Sequence, residues 1–433
     1  MSDRIAFGLS LALLFVWSLP GTVALRMALL LAALALLARR LASAGFQLGV
    51  RASALPLVLL ATLTFWLLLQ AVFVSADTAW ALGELRGQWL PALLALTLGF
   101  LLAYRVDARH LVTAVALVFA AQAAIAVGHS LWHWFAHGQL LVQLVPLTGG
   151  KLEMSFVLNI LLAILTVDVF CRASGRDALL RLPLAAVAAM VLLALAGSLL
   201  AAARNGIIGI AFLAVLALSL FVFDQRRHLG RTRTLAASMA IVAGLAVAAT
   251  VNFRTDSRWQ AFTETAAIAW DIDRYSAWFA PSQHPWPKLA DGRNVDHSTY
   301  TRIAFVRGGL RLIAEEPLGH GYGRNAFAHA LRQRHPEAQL GHAHNGWVDL
   351  GVGGGVPALA LWAAFLGGLM WRGWRAFFAS DNPHGLLLFF LATGYAGRMV
   401  LDSVNKDHML QIFMFLAGLL LMLTTPRREE AGP

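Results

Sequence analysis

The sequence predicts an all-α integral membrane protein of about twelve transmembrane helices with one large, mainly helical loop on the outer face. Three observations carry that expectation. Of 433 residues, 59% are hydrophobic and 13% charged, a mixture too apolar to cover a water-exposed surface. Apolar runs of about 20 residues or slightly fewer, the length that crosses a bilayer, recur along the whole chain. The arginines between those runs fall in alternate connections, which is the pattern that orients membrane helices.

The candidate spans are 5–19, 22–38, 55–74, 89–104, 110–128, 155–171, 183–200, 206–223, 235–251, 347–370, 385–401 and 409–424. Connections after the even-numbered spans hold Arg39, Arg40 and Arg51; Arg105 and Arg109; Arg172, Arg176 and Arg181; Arg226, Arg227, Arg231 and Arg233; Arg372 and Arg375. The opposite short connections are nearly free of basic residues. With Arg4 at the head and Arg427 and Arg428 at the tail, the alternation puts both termini in the cytoplasm. Met1–Ala24 imitates a signal peptide, with Arg4, an apolar stretch and Thr22-Val23-Ala24. Because many spans follow, it reads as a retained first helix. The chain therefore divides into spans one to nine (1–251), an outer loop (252–346), and spans ten to twelve with a cytoplasmic tail (347–433).

Composition narrows the function classes. A single cysteine, Cys171, leaves no disulfide framework and no multi-cysteine metal site. The formal charge of +11 comes from 34 basic residues, of which only Lys151, Lys288 and Lys406 are lysines. No basic tract with interleaved aromatics is present, so nucleic acid is not the partner; membrane lipid is.

The outer loop is long enough to carry structure and function of its own. Within 298–316, Ile303, Val306, Leu310 and Ile313 recur at helical spacing, Ser298 or Thr299 is placed to cap, and Pro317 with Gly319 ends the pattern. Trp259, Phe262, Ala266 and Trp270 form a second stripe suited to a headgroup interface.

Several polar residues converge on the outer side. Arg204, in Ala203-Arg204-Asn205-Gly206, occupies a tight break between spans seven and eight where the alternation otherwise avoids Arg. An interfacial snorkelling Arg is the plain reading, and a bidentate fork for a lipid phosphate is the functional one. Arg302 flanks one edge of the 298–316 stripe while Arg307 and Arg311 flank the other, so they should not share one ligand. Asp271-Ile272-Asp273 imitates the Asp-x-Asp of nucleotide-sugar transferases but sits in an amphipathic pattern, which favours a solvated helix face.

Gly341-His342-Ala343-His344-Asn345-Gly346 leads into span ten. Two His at i, i+2 without an obvious third ligand make a weak metal site. As acid–base groups they make more sense, because Asn345 can cap span ten and so place His344 beside a helix N-terminus. That field disfavours the imidazolium and leaves a ring ready to accept a proton. On a helix the two rings would diverge; on an extended segment both would face the same way. Arg398, Asp402 and Lys406 stand at i, i+4, i+8 across the outer end of span eleven. They form a salt-bridged ladder, or Asp402 orients a catalytic His or a substrate hydroxyl.

Taken together these residues resemble the O-antigen ligase and polymerase superfamily of bacterial envelope glycosyltransferases. The resemblance runs through Arg204-Asn205-Gly206, then Arg302 followed by Glu316-Pro317-Leu318-Gly319-His320-Gly321-Tyr322-Gly323, then His344-Asn345 and Gly351-Val352-Gly353-Gly354-Gly355-Val356-Pro357. It departs where Ala201-Ala202-Ala203 replaces a Ser before the first Arg, and the aromatic after the second Arg is Phe305. The resemblance implies a GT-C-like fold in the bacterial inner membrane with the site facing the periplasm. It implies inverting, metal-independent and cofactor-free transfer of O-antigen polysaccharide from undecaprenyl diphosphate to the lipid A–core oligosaccharide. Arg204 and Arg302 would hold the diphosphate and His344 would be the base, with His342 assisting and Asn345, Asp402 and Arg398 in support. An O-antigen polymerase or a protein O-oligosaccharyltransferase would use the same donor. A secondary transporter, from another class, would need ionisable residues at the midplane and an internal repeat, whereas the charges here cluster at ends and loops.

Overall fold

The computed structural model describes residues 2–104, 106–143, 146–255 and 262–425. In chain order they form α1 (Ser2–Val16), α2 (Val23–Leu37), α3 (Ala44–Ala52), α4 (Ala54–Phe73), α5 (Thr78–Ala103), α6 (Ala108–His137), α7 (Lys151–Ala173), α8 (Leu184–Ala201) and α9 (Arg204–Thr255). The long connection that follows supplies α10 (Phe262–Trp270), α11 (His297–Glu315) and α12 (Ala326–Arg334). The chain then closes with α13 (Gly346–Ser380), α14 (Pro383–Leu401) and α15 (Asp407–Leu423). Among the described residues there is no strand, only an isolated bridge between Lys288 and Asn294.

Each candidate span overlaps a helix, but not one to one: spans eight and nine both lie on α9, which breaks at Gly230 (φ 72°), and α5, α6 and α13 run about ten residues beyond the spans read from the sequence. Eight helical segments among the described residues are long and apolar enough to cross a membrane, or nine if α2 and α3, bent by 105°, are counted as one. The first and last helices, α1 and α15, are shorter, at 15 and 17 residues. Both are built into the bundle: Trp17, just after α1, is fully buried against Phe415 of α15 and donates its indole N–H to Gln411 Oε1 at 2.7 Å. Small residues let the helices close. A Cβ on Gly99 of α5 would collide with the Phe415 carbonyl, and one on Gly418 of α15 with the Leu96 carbonyl. Backbone meets backbone there, as it does in packed membrane bundles.

The arginine-rich connections gather at one end of the bundle. Arg40 pairs with Asp3, Arg109 with Asp177 at 2.5 Å, and Arg176 with Asp224 at 2.6 Å and Asp381 at 3.0 Å. The opposite end collects the Ser75, Asn205 and Asp402 connections together with the loop. In a Cys171→Ser background, an impermeant thiol reagent on intact cells should label Ala290→Cys in the loop and spare Thr232→Cys; the reverse would invert the orientation.

The loop has a hydrophobic core of its own. Trp278, Tyr300, Phe305 and Phe327 form its centre, and the core continues into Val348 and Val352 of α13. Here the structure corrects two sequence expectations. The N-cap of α11 is Asp296, whose carboxylate accepts from the Thr299 N–H at 2.9 Å, rather than Ser298 or Thr299. The buried face is Tyr300, Ala304, Phe305, Gly308, Gly309 and Leu312, whereas Leu310 of the expected stripe is 45% exposed. The reason is that α11 packs through glycine. A Cβ on Gly308 would strike the Trp278 ring, and one on Gly309 would strike Val348. A hydropathy pattern gives glycine no weight, yet close approach buries it. On α10, Phe262 and Trp270 are exposed while Thr265 and Ala269 are buried; Trp259 of that stripe lies outside the described residues.

The stretch Pro317–Gly323 and the glycine run of α13 clasp each other. Helix α13 breaks at Gly355, with φ 75°, two residues before Pro357. The backbone groups freed by the break all find partners: Val352 O accepts from His320 N (2.8 Å), Gly353 O from Gly321 N (2.9 Å) and Gly354 O from the Trp66 indole (2.7 Å). Val356 N donates to Pro317 O at 2.8 Å, and Pro357 has no N–H to satisfy. At membrane depth an unsatisfied peptide group is costly, so such a break persists only when it is paired in this way. The two glycine-rich motifs are scaffolding that fixes where α13 starts, and with it the His-Asn segment.

Candidate active site at the loop–membrane junction

Three connections meet above the bundle: the His342–Asn345 approach to α13, the 402–406 turn between α14 and α15, and the Arg204 end of α9. Asn345 caps α13 as the sequence suggests, its Oδ1 accepting from Val348 N at 3.1 Å while its Nδ2 donates to Val400 O at 3.1 Å. His344 sits immediately before that cap with φ 51°, a left-handed conformation that costs a non-glycine residue about 1–2 kcal/mol. The segment is therefore not a helical turn, and the two histidine rings converge, 4.3 Å between centroids.

His344 Nδ1 lies 3.9 Å from Asp402 Oδ1, and Asp402 Oδ2 lies 3.9 Å from Arg398 Nη2. Side-chain exposure is 35% for His344 and 5% for each of Asp402 and Arg398. Burial by itself raises the Asp402 carboxyl pKa, but the His344 ring and the Arg398 guanidinium outweigh it and hold the group below its ordinary value. Asp402 is thus a carboxylate facing Nδ1, which leaves Nε2 on the open side of the ring. Burial, helped by the charge on Lys406, pushes His342 down to about 3, so this ring stays neutral at working pH. The expected Arg398–Asp402–Lys406 helical ladder is corrected in part: α14 ends at Leu401, Asp402 is extended (φ −162°, ψ 161°) and Lys406 belongs to the approach to α15.

Asp349 is the residue that sequence reasoning missed. Fully inside the first turn of α13, it accepts from Ala343 N at 3.0 Å and from Ser403 Oγ. It thereby ties the peptide between the two histidines to the residue after Asp402. Gly346 N donates to Asp402 O at 3.1 Å and closes the same frame. A carboxylate in an apolar helix four residues after Asn345 was the available signal.

The arginines are placed as the spacing implies. Arg204 is the exposed first residue of α9, following Ala202 in a left-handed turn. Buried Asn205 donates to Leu401 O at 3.0 Å and accepts from Arg302 Nη1 at 3.3 Å, so Arg302 and the end of α14 are pinned to the start of α9. Burial would raise the Asp296 carboxyl, but hydrogen bonds from Thr299 and the charge of Arg204 bring it below the ordinary range, which puts Arg204 beside the start of α11. Arg311 instead forks onto Asp273 with two 2.6 Å bonds, and Arg307 lies over the Trp270 ring at 5.3 Å. Arg302 alone of the three turns to the site, and Asp273 is a surface ion-pair partner.

The fold also supplies the third metal-ligating group that the sequence lacked. Ligand atoms of His342, His344 and Asp402 all lie within 4.8 Å of one another, a set with the donors of a transition-metal site. The surroundings oppose a dication. Arg398 stands beside Asp402, and the charges of Lys406 and Arg302 bear on His342. Such a ring of cations favours an anion.

Residues 188–363 match the family model described as O-antigen ligase. This segment belongs to the O-antigen ligase family. The match takes in Arg204, Asn205, Arg302, the glycine clasp, both histidines, Asn345 and Asp349, while Arg398, Asp402 and Ser403 lie beyond it. A search of curated proteins gave no match to the chain. Family and apolar helices together support a multi-pass membrane glycosyltransferase of the ligase or polymerase type, with a lipid-linked polysaccharide donor and a lipid acceptor.

Proposed function

We propose that the O-antigen ligase domain and its flanking helices transfer O-antigen polysaccharide from undecaprenyl diphosphate to the lipid A–core oligosaccharide. In this reading the site faces the periplasm across an inner membrane, about twelve helices span it, and both termini are cytoplasmic. The observation that carries it is the meeting of a carboxylate-backed histidine with a set of arginines at one end of an apolar bundle. The acceptor hydroxyl gives its proton to His344 Nε2 as its oxygen attacks the anomeric carbon. The bond from that carbon to the diphosphate oxygen breaks on the opposite face, inverting the centre. Asp402 holds the ring by Nδ1 and stabilises the imidazolium that forms, as carboxylates do for catalytic histidines. Arg204 and Arg302 take up the charge of the departing diphosphate, the part a metal plays elsewhere.

The functional test is the lipopolysaccharide pattern of a deletion strain. Long chains missing from the core while lipid-linked polymer accumulates supports ligase; single-repeat chains on the core would make it a polymerase. The arginine roles have their own test. Lysine keeps the charge but not the planar fork, so Arg204→Lys and Arg302→Lys should each reduce transfer by about tenfold or more, the worth of one charged hydrogen bond. Full activity of both, or loss of wild-type activity in EDTA, would overturn the metal-free arginine reading.

A further inference from the structure

Asp349 takes no part in the chemistry above, yet it lies in the first turn of α13 and is only 4% exposed. Burying a carboxyl group is costly unless hydrogen bonds compensate it, and here both oxygens are engaged. Oδ1 accepts from Ala343 N at 3.0 Å, and Oδ2 accepts from Ser403 Oγ. A group so enclosed does not touch substrate. What it does is hold two segments that do.

Ala343 precedes His344, whose φ of 51° is a strained conformation that persists only where its surroundings over-determine it. Ser403 follows Asp402, and its own N–H donates to Asp402 Oδ1 at 2.9 Å. One side chain therefore grips the peptide before the histidine and the hydroxyl after the aspartate. Asn405 Nδ2 donates to Gly346 O at 3.1 Å and closes the frame beside the Gly346–Asp402 bond. Inside it, His344 Nδ1 and Asp402 Oδ1 stand 3.9 Å apart, and neither Nδ1 nor Asp402 Oδ2 has a hydrogen-bond partner among the described residues. With both backbones held, side-chain rotation alone has to close that gap by about 1 Å to hydrogen-bond length. Catalytic hydrogen bonds are commonly long before substrate binds.

We propose that Asp349 is a positioning residue: it sets the separation of His344 from Asp402 and keeps the base at its strained backbone angle. The inference rests on His344 as the base and adds the residue that keeps its carboxylate within reach. Asp349 acts through hydrogen-bond geometry, not through charge. Asparagine in its place retains an acceptor for Ala343 N and offers an N–H to the Ser403 hydroxyl, which accepts as well as donates. Alanine offers neither.

The test follows kcat and KM of the purified full chain with defined lipid-linked donor and lipid A–core acceptor, with melting temperature as the folding control. Asp349→Ala should lower kcat by about 10–100-fold, the cost of leaving two buried donors unpaired, and leave the donor KM unchanged. Asp349→Asn should recover about tenfold of that loss or more. Ser403→Ala is the smaller cut, informative even if Asp349→Ala fails to fold, and should lower kcat by about tenfold. In an Asp402→Asn protein it should cost nothing further, because its effect passes through that carboxylate. An equal cost of Ser403→Ala in both backgrounds, or an Asp349→Asn protein no better than Asp349→Ala, overturns the positioning role. So does wild-type kcat in folded Asp349→Ala and Ser403→Ala proteins beside an inactive His344→Ala, a result that leaves the base standing. Near-normal turnover of His344→Ala removes the base instead, whatever the Asp349 variants do.

Discussion

His344→Ala is expected to lower polysaccharide transfer by about 10²–10⁴-fold, the usual contribution of a positioned base, in a protein that still inserts and folds. Its ring is partly exposed and outside the loop's hydrophobic core, so truncation leaves no large cavity. Asp402→Asn keeps the shape but removes the charge facing Nδ1, and should lose much of the same factor. His342→Ala should cost less. Its ring lies against His344, but it is Nδ1 of His344 that stands in ion-pairing range of Asp402. The measurement is turnover by purified protein with defined lipid-linked donor and lipid A–core acceptor, alongside donor binding. Near-normal turnover of His344→Ala would eliminate this base. Donor binding lost as completely as turnover would make His344 a phosphate ligand.

Gly355→Ala is expected to damage the protein as severely by a different route. At φ 75° and ψ −177°, a backbone conformation essentially confined to glycine, an alanine costs about 1–3 kcal/mol, and its Cβ would collide with the Pro317 and Leu318 main chain. Main chain cannot rotate aside, so the clasp must open. The three peptide hydrogen bonds to His320, Gly321 and Val356 would then be strained or lost, at about 1 kcal/mol each. A loss of several kcal/mol should appear as a melting temperature lower by many degrees in detergent, with transfer lost because the start of α13 carries the His-Asn segment. Gly367→Ala is the control. No atom lies within 4 Å of a Cβ there, and alanine favours helix, so it should match or exceed wild type. A Gly355→Ala protein that melts with wild type would show that the motif is not a structural clasp.

What the sequence determined by itself is what depends on periodicity and on transfer from water. Apolar runs located the helices, because a spanning helix must be apolar along its length. Arginine alternation separated the two ends of the bundle, because basic connections stay on one side. The capping role of Asn345 and the divergence of Arg302 from Arg307 and Arg311 were likewise legible, since each follows from a few consecutive residues on one helix. What needed the tertiary structure was everything set by close approach. Glycine hid the buried face of α11, because Gly308 and Gly309 carry no hydropathy yet admit Trp278 and Val348. Asp402 stands 58 residues after His344, and Asp349 gained its meaning only when Ala343 and Ser403 came to either side of it. Chain order fixes which residues share a helix face; only packing decides which faces meet, and the candidate site lies where three of them do.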